Sequence, residues 1–131
     1  MGVRAFRTLV SRRCIGLAAE KHLAIALAER GWVVLERNLR TPFAEVDLLA
    51  RDPQGVLVLV EVKARHPLSF ITGEDHLTPR QRRRLESALL WLDGRHPTPR
   101  GLRLDLAIVH QSRGKILGWE LLEGLAGLEP A

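Results

Sequence analysis

Two segments that are otherwise apolar each carry a pair of charged residues at alternate positions. Glu45 and Asp47 interrupt the first segment, and Glu61 and Lys63 interrupt the second. In an extended strand, residues two apart share a face, so each pair is expected on one side of its strand. A hairpin whose three-residue loop ends in a left-handed Gly55 places Asp47 opposite Glu61. The same register places Glu45 opposite Lys63.

Facing carboxylates repel one another unless a cation lies between them. The pair Asp47 and Glu61 therefore predicts a Mg²⁺ or Mn²⁺ site, because these ions prefer hard oxygen ligands. Lys63 points into the same site, where its ammonium can orient and help deprotonate a water or stabilise charge on a phosphorane-like oxygen. Activated water, neutralised phosphate and a stabilised leaving group are the requirements of phosphodiester hydrolysis. The alternative is a set of salt bridges that protects a sheet edge from aggregation.

Glu20 lies in the middle of the apolar face of a helix predicted over residues 16–30. At 100° per residue, that face is formed by Leu17, Leu23, Ala24, Leu27 and Ala28. A carboxylate on this face costs on the order of several kcal/mol unless it is paired or bound to a metal. One explanation is that Glu20 pairs with one of the many arginines. The presence of the acids Asp47 and Glu61 favours the other explanation, in which Glu20 shares a metal site with them.

The elements that must position these residues follow one another in the order helix, three strands, helix, two strands. Alternating and β-branched runs predict strands over residues 32–36, 44–51, 56–63, 102–109 and 116–122. The second helix begins at Thr78, with Pro79 at its first position and Gln81 at the capping-box position. It ends at Gly94. Residues 64–77 are predicted to form a long loop of the kind that carries function.

The length of 131 residues holds one domain, and 46% hydrophobic residues are enough for a core. We expect residues 16–123 to form that domain, after a flexible basic segment, residues 1–15, and before a C-terminal tail, residues 124–131.

The single cysteine, Cys14, excludes an internal disulfide framework and a multi-cysteine zinc site. The sequence shows neither a secretory signal nor an apolar run of membrane-spanning length, so a cytoplasmic protein with no membrane partner is expected.

The net charge of +5 comes from 20 Lys and Arg against 15 Asp and Glu, and 17 of the 20 cations are arginines. Arginine suits phosphate recognition, so DNA is a candidate partner; arginine-rich codon usage is the alternative.

The first turns of the second helix, where the helix dipole disfavours cations, carry Arg80, Arg82, Arg83 and Arg84. Phosphates of a nucleic-acid backbone would compensate for this unfavourable interaction with the dipole, and Arg40 and Arg65 would extend the phosphate-binding surface. The alternative is that these arginines form a solvated helix face. Gln81 either reaches the edge of the site or only caps its helix, and Glu45 is a further candidate.

Several of these segments together resemble one protein family. They are Gly16-x-x-Ala19-Glu20, Arg37-Asn38-x-Arg40, the run from Ala44 to Ala50, Val60-Glu61-Val62-Lys63-x-Arg65 and Arg103-Leu104-Asp105. The chain resembles the bacterial YraN family of predicted endonucleases, which is similar to archaeal Holliday junction resolvases and belongs to the PD-(D/E)XK nuclease superfamily. The resemblance implies an α/β, restriction-endonuclease-like core of helix-strand-strand-strand-helix-strand, with a mixed sheet flanked by helices.

The resemblance also implies roles for individual residues. Asp47 and Glu61 would be metal ligands, Lys63 the catalytic lysine and Glu20 the acid of the first helix. Ala44 departs from the pattern, because the family usually has glycine there. The expected function is a Mg²⁺- or Mn²⁺-dependent endonuclease that hydrolyses phosphodiester bonds in branched or structured DNA, and a homodimer is expected by analogy. The alternative function is a nucleic-acid-binding or adaptor protein that keeps the fold without cleaving.

Overall fold

The computed structural model describes residues 12–67, 77–96 and 100–124. Two helices and five strands follow one another in the predicted order: α1 (Arg12–Glu29), β1 (Val33–Arg40), β2 (Glu45–Arg51), β3 (Leu57–Arg65), α2 (Pro79–Asp93), β4 (Leu102–Ser112) and β5 (Lys115–Leu122). Helix α1 begins earlier than predicted, so residues 12–15 of the expected N-terminal segment are helical. Residues 1–11, residues 68–76 of the expected long loop and residues 125–131 of the expected tail lie outside the described residues.

The five strands form one sheet in the spatial order β1-β2-β3-β4-β5. The neighbours β3 and β4 are parallel, and the other three neighbouring pairs are antiparallel. Helix α2 lies in the connection between the two parallel strands, which cannot be joined by a tight turn. The mixed sheet and the order helix-strand-strand-strand-helix-strand confirm the predicted α/β fold.

The two helices pack on opposite faces of the sheet. Helix α1 covers one face through a buried cluster that includes Leu23, Leu27, Leu48, Ala50, Val58 and Val60. Helix α2 covers the other face through a cluster that includes Leu49, Leu57, Leu59, Leu85, Leu89 and Leu104. Strands buried on both faces are nearly continuous apolar runs, which is why charged residues within them are informative.

The turn between β2 and β3 has the predicted conformation. Gly55 has φ +88°, and its N–H donates to the Asp52 carbonyl at 2.9 Å. The Asp52 carboxylate accepts from the N–H groups of Gln54 and Val56, both at 2.9 Å. Leu48 pairs with Val60 in the ladder that follows. This is the predicted register, and its continuation brings Asp47 level with Glu61.

Strict alternation fails in β2 beside the first charged pair. Val46 packs in the same cluster as Leu49, although strict alternation puts them on opposite faces, and Leu48 packs on the α1 side. On β1, Asn38 has φ +52°, and the ladder passes from Arg37↔Leu48 to Leu39↔Val46. Period-two alternation also predicts one common face for Glu45, Asp47 and Leu49. This prediction is wrong for Leu49, which packs on the α2 side whereas Glu45 and Asp47 line a cavity beside α1, because the backbone is irregular where Asn38 faces Asp47.

Helix α2 begins with the predicted capping box. The Gln81 N–H donates to the Thr78 hydroxyl at 3.1 Å, and the Gln81 side-chain oxygen accepts from the Thr78 N–H at 3.0 Å. Pro79 takes the first helical position and Gly94 caps the other end. Neither α2 nor α1, the two helices in the described part of the chain, is long and apolar enough to cross a membrane.

A buried ion-pair cluster ties β4 to the turn between β2 and β3, and we call it the Arg103 cluster. The Arg103 guanidinium donates to both oxygens of Asp105, at 2.8 and 3.1 Å, and to Asp52 at 2.8 Å. Asp105 is fully buried and also accepts the Gly124 N–H at 3.0 Å. Arg103 pairs with Val58 at the amino end of β3, so this cluster lies at the opposite end of the sheet from Glu61.

Candidate active site

Helix α1 and strands β1, β2 and β3 enclose a cavity of about 320 Å³, which we call the acidic cavity. Its lining residues are Gly16, Leu17, Glu20, Asn38, Glu45, Asp47 and Glu61. The structure thus brings together the four acids that the sequence nominated, from one helix and two strands. Lys63 contacts this group through Glu61, since its Nζ lies 3.4 Å from Glu61 Oε1.

Backbone contacts hold Asp47 across the β2–β3 pair. Its Oδ2 accepts the N–H of Val62 at 2.8 Å, so the side chain reaches from its own strand to the segment between Glu61 and Lys63. The Glu61 and Lys63 side chains are 15% and 22% exposed, which leaves both reachable from solvent. The carboxylates of Asp47 and Glu61 and the ammonium of Lys63 therefore lie on two adjacent strands at the opening of the acidic cavity.

Glu20 is buried at the inner wall of the acidic cavity, with only 7% of its surface exposed. Its Oε2 atom is buried and lacks a hydrogen-bond partner among the described residues. Burial, together with the negative charge of Asp47, raises the pKa of Glu20 to about 7, while a hydrogen bond from Asn38 partly offsets the rise. The alternative pairing of Glu20 with an arginine is absent from the described part of the chain.

Glu61 shares this electrostatic environment. Burial and the charge of Asp47 raise the pKa of Glu61 to about 7, although the ammonium of Lys63 lowers it in part. Two carboxyl groups with raised pKa values beside a third carboxylate form a site short of positive charge. Perturbed groups that gather in a cleft are candidates for a functional site.

The donor chemistry of this site fits a hard divalent cation. Carboxylate oxygens are the ligands that Mg²⁺ and Mn²⁺ prefer, and the buried Glu20 Oε2 is an oxygen donor without a partner. Within residues 12–67, 77–96 and 100–124, no three His, Cys, Asp or Glu side chains already form a group that could hold a metal ion. A cation would therefore have to draw the carboxylates of Glu20, Asp47 and Glu61 together.

A second cavity, of about 200 Å³, adjoins the first on the side of α2. Glu45 and Glu61 line both cavities, and the second is completed by Phe43, Ala44, Leu77, Gln81, Arg84 and Leu85. Gln81 thus lines this cavity while it also caps α2, so its cap is confirmed and its contact with the site stays a prediction. Arg84 is the arginine of α2 that lines this cavity.

The other predicted phosphate-binding arginines lie outside both cavities. Arg80, Arg82 and Arg83 are exposed on the first turns of α2. Arg40 is exposed at the end of β1, where it pairs with Glu45 in the ladder. Arg65 lies at the end of β3 beyond Lys63, with its guanidinium donating to the Ala64 carbonyl at 2.9 Å. Arg40 and Arg65 are thus on strands that lead into the site.

Asn38 and Phe43 also line the site, although no sequence pattern predicts a role for either residue. Asn38 belongs to the segments that carry the family resemblance. Asparagine tolerates the left-handed backbone better than most residues, so an asparagine inside a predicted strand could have indicated the irregular backbone found here. Phe43 is exposed in the turn between β1 and β2, and no periodic pattern marks such a residue. Thr41 shapes this turn, because its hydroxyl accepts from the N–H groups of Phe43 and Ala44.

The raised pKa values predict how stability depends on pH without a divalent cation. Because the folded-state pKa of Glu20 and of Glu61 is about 7, above the ordinary 4.5, the folded protein holds protons that the unfolded chain releases between these values. Stability should therefore fall as the pH rises from about 5 to about 7.5. Glu20→Gln should flatten this dependence and raise Tm at pH 8, as measured by thermal unfolding in EDTA.

The control for this experiment is Glu29→Gln, which removes an exposed carboxylate from the last position of the same helix. Its Tm should follow the wild-type pH dependence. Parallel curves for wild type and Glu20→Gln would contradict the repulsion assigned to the acidic cavity.

Helices on both faces of a mixed sheet, with carboxylates and a lysine on its adjacent strands β2 and β3, define an α/β protein with a restriction-endonuclease-like core. The chain belongs to the family described as "Uncharacterised protein family UPF0102", whose model matches residues 19–109. This family corresponds to the YraN family, so the predicted resemblance is confirmed.

Three similar proteins from other organisms carry the same family name. A UPF0102 protein of Corynebacterium efficiens is 37% identical over 95 residues, which cover 72% of this chain and 76% of the relative. A UPF0102 protein of Dictyoglomus thermophilum is 36% identical over 110 residues, which cover 82% of this chain and 92% of the relative. A UPF0102 protein of Granulibacter bethesdensis is 43% identical over 96 residues, which cover 72% of this chain and 59% of the relative.

One solved structure is similar to this chain over part of its length. It is described as "Structure of EndoMS-dsDNA2 complex", and the alignment has a TM-score of 0.44 and 22% sequence identity. The alignment covers 66% of this chain and 33% of that chain, so this protein spans about a third of that one.

Proposed function

We propose that this protein is a metal-dependent endonuclease that hydrolyses phosphodiester bonds in DNA. The observation that carries the proposal is the acidic cavity, where carboxylates from α1, β2 and β3 meet beside the ammonium of Lys63. Like charges gathered at such a site cost free energy, and a structural role alone does not offset that cost. A divalent cation bound between the carboxylates would offset it.

In this proposal, Asp47, Glu61 and Glu20 hold a Mg²⁺ or Mn²⁺ ion. The ion supplies Lewis-acid activation of water and neutralises the charge of the phosphate. Asp47 is aimed by its bond from the Val62 N–H, and Glu20 offers the unpartnered Oε2. Glu45 lies exposed at the rim, where it can bind an ion through water.

Lys63 is the proposed catalytic residue, and its ammonium acts on the phosphate and on the attacking water. Its ammonium lies 3.4 Å from Glu61, so it is oriented before a substrate arrives. From there it donates to the attacking water or to a phosphate oxygen as negative charge develops in the transition state. A donor that is positioned in advance does not have to reorganise during the reaction.

The arginines supply the proposed DNA contacts. Arg84 lies beside the carboxylates in the second cavity, and Gln81 is next to it. Arg80, Arg82 and Arg83 extend from there along α2, and Arg40 and Arg65 lie on the strands. Positive charge around an acidic centre lets the backbone approach without being repelled. We propose branched or structured DNA as the substrate, a cytoplasmic location and a homodimer that presents two sites to two strands.

Two measurements on one set of proteins test this function. Calorimetric titration with Mg²⁺ or Mn²⁺ should show binding to the wild type, and Asp47→Ala should lose it. Gel assays should show cation-dependent nicking of a four-way DNA junction in preference to a linear duplex of the same sequence. Glu29→Gln, which changes an acid outside the cavity, should behave as the wild type in both assays.

The outcomes separate the proposal from its alternative. Cleavage that persists at the wild-type rate in Asp47→Ala would overturn the assigned site. Salt-sensitive DNA binding with no cation effect, no cleavage and no loss in Asp47→Ala would indicate a non-catalytic binding or adaptor protein. Sedimentation with and without the junction then reports whether two copies assemble.

A further inference from the structure

The hairpin formed by β4 and β5 extends past the end of the sheet that carries the acidic cavity. Strand β3 ends at Arg65, which pairs with His110, whereas β4 continues to Ser112. Because β3 and β4 are parallel, their carboxyl ends point in one direction, and the hairpin tip lies beyond Glu61 and Lys63. The connection between the strands is only two residues long, Arg113 and Gly114. We call residues 111–115 the hairpin tip.

The backbone of the tip places an arginine where arginine is unfavourable. Arg113 has φ +52° and Gly114 has φ +78°, and Ser112 pairs with Lys115 across them. Two-residue hairpin turns with positive φ at both positions strongly prefer Asn-Gly. The left-handed conformation brings the Cβ of any L-residue close to a carbonyl oxygen, and asparagine offsets this cost because its short polar side chain hydrogen-bonds locally. The glycine is therefore where such a turn needs it, but the arginine adds strain that asparagine would relieve.

The tip is also basic, and the strand pairing just before it is irregular. Arg113 and Lys115 are exposed, and residues 111–115 include no acid. The ladder slips by one residue between His110 and Gln111, and irregularities of this kind bend a strand and re-aim its side chains. A contact of 3.4 Å between His66 and Ser112 joins the tip to the chain just after β3.

The distance from the site suits a DNA backbone. Ile108 pairs with Lys63, and Arg113 lies five residues further along the same hairpin. At a rise of about 3.3 Å per residue, the tip is about 17 Å beyond Lys63. Phosphates of one strand repeat about every 3.4 Å along the axis of a duplex, so this distance corresponds to about five base pairs.

We infer that the tip binds the phosphate backbone of the nucleic acid about five base pairs from the cleavage position, with Arg113 as its main contact. The inference rests on the proposed function and adds a substrate contact to it. It also explains why a strained turn carries arginine, since strain at a local site persists where function depends on it.

The test is Arg113→Asn, for which stability and binding should change in opposite directions. Tm should rise by about 3 °C, because asparagine accepts the left-handed backbone. Affinity for a junction with arms of ten base pairs, measured by fluorescence anisotropy at about 0.1 M salt, should fall about eightfold. The slope of log affinity against log salt should lose about one unit, and the difference from the wild type should vanish near 1 M salt.

Two further variants separate charge from backbone effects. Arg113→Lys keeps the charge and the strain, so its Tm and affinity should stay near the wild-type values. Arg100→Gln removes an exposed arginine just before the amino end of β4, at the other end of the sheet, and should leave affinity within about twofold. Wild-type affinity and salt slope in Arg113→Asn would overturn the inference while the proposed function stands. If the wild-type protein binds no DNA at all, the proposed function and this inference both fail.

Discussion

Lys63→Met is expected to lower the rate of phosphodiester cleavage by about 10²- to 10³-fold, with cation and DNA binding close to wild type. Methionine has nearly the length of lysine and fills the same space, so the loss is one of charge and hydrogen bonding. An ammonium positioned toward the transition state contributes mainly to kcat and little to ground-state binding. Single-turnover cleavage of a labelled junction, with anisotropy for affinity, measures the two quantities separately.

The experiment should be run near pH 8.5 because of the contact between Lys63 and Glu61. The ammonium lowers the pKa of Glu61, so its loss raises that pKa further and would weaken cation binding near neutral pH. At higher pH, Glu61 is ionised in both proteins and the comparison isolates Lys63. Lys21→Met, an exposed lysine on α1, is the control and should cleave at the wild-type rate. A loss of kcat below threefold in Lys63→Met would contradict the catalytic role.

The sequence was sufficient to predict the register that brings the acids together. Loop length and a glycine in the left-handed conformation determine the pairing of a hairpin, so Gly55 and the spacing of Asp47 and Glu61 contained that information. Glu20 was predictable for a different reason. A single charge on the apolar face of a helix costs free energy unless it has a partner, and the periodicity of the apolar residues identifies that face.

Other features depend on contacts between segments that are distant in sequence. The irregular backbone at Asn38 and Asp47 arises between two strands, and a period-two pattern assumes that no such irregularity is present. The second cavity brings Gln81 and Arg84 of α2 to Glu61 of β3, which only the packing of helix on sheet can determine. Local patterns predict which face a residue occupies, but not which residue of another element it meets.

The Arg103 cluster is another long-range feature, and it shows how the fold holds the other end of the sheet. Asp105 is fully buried, and burial raises the pKa of its carboxyl, although hydrogen bonds from Arg103 and Gly124 offset part of the rise. Asp52 is also buried and uses its second oxygen to accept from Arg103. One guanidinium therefore compensates two buried carboxylates that come from residues 53 positions apart.

Arg103→Met is accordingly expected to destabilise the fold by about 3–5 kcal/mol, since it leaves buried carboxylates without their cation. Urea unfolding at pH 7 measures the loss. The double variant Arg103→Met with Asp105→Asn should recover part of it, because the amide no longer carries a buried charge while its oxygen still accepts the Gly124 N–H. Arg95→Met, which removes an arginine from the Trp91 ring near the end of α2, should cost no more than about 1 kcal/mol.

The pH dependence of Arg103→Met provides a second check on the same assignment. Without Arg103, protonation of Asp105 is the remaining way to remove its buried charge, so the pKa of this carboxyl in the folded protein, which burial already raises, rises further. The folded variant then holds protons that the unfolded chain releases, and its deficit in stability should shrink as the pH falls from 7 toward about 5. A deficit that stays constant over this range would mean that Arg103 stabilises the sheet by packing, for example against the ring of Trp32, and not by its charge.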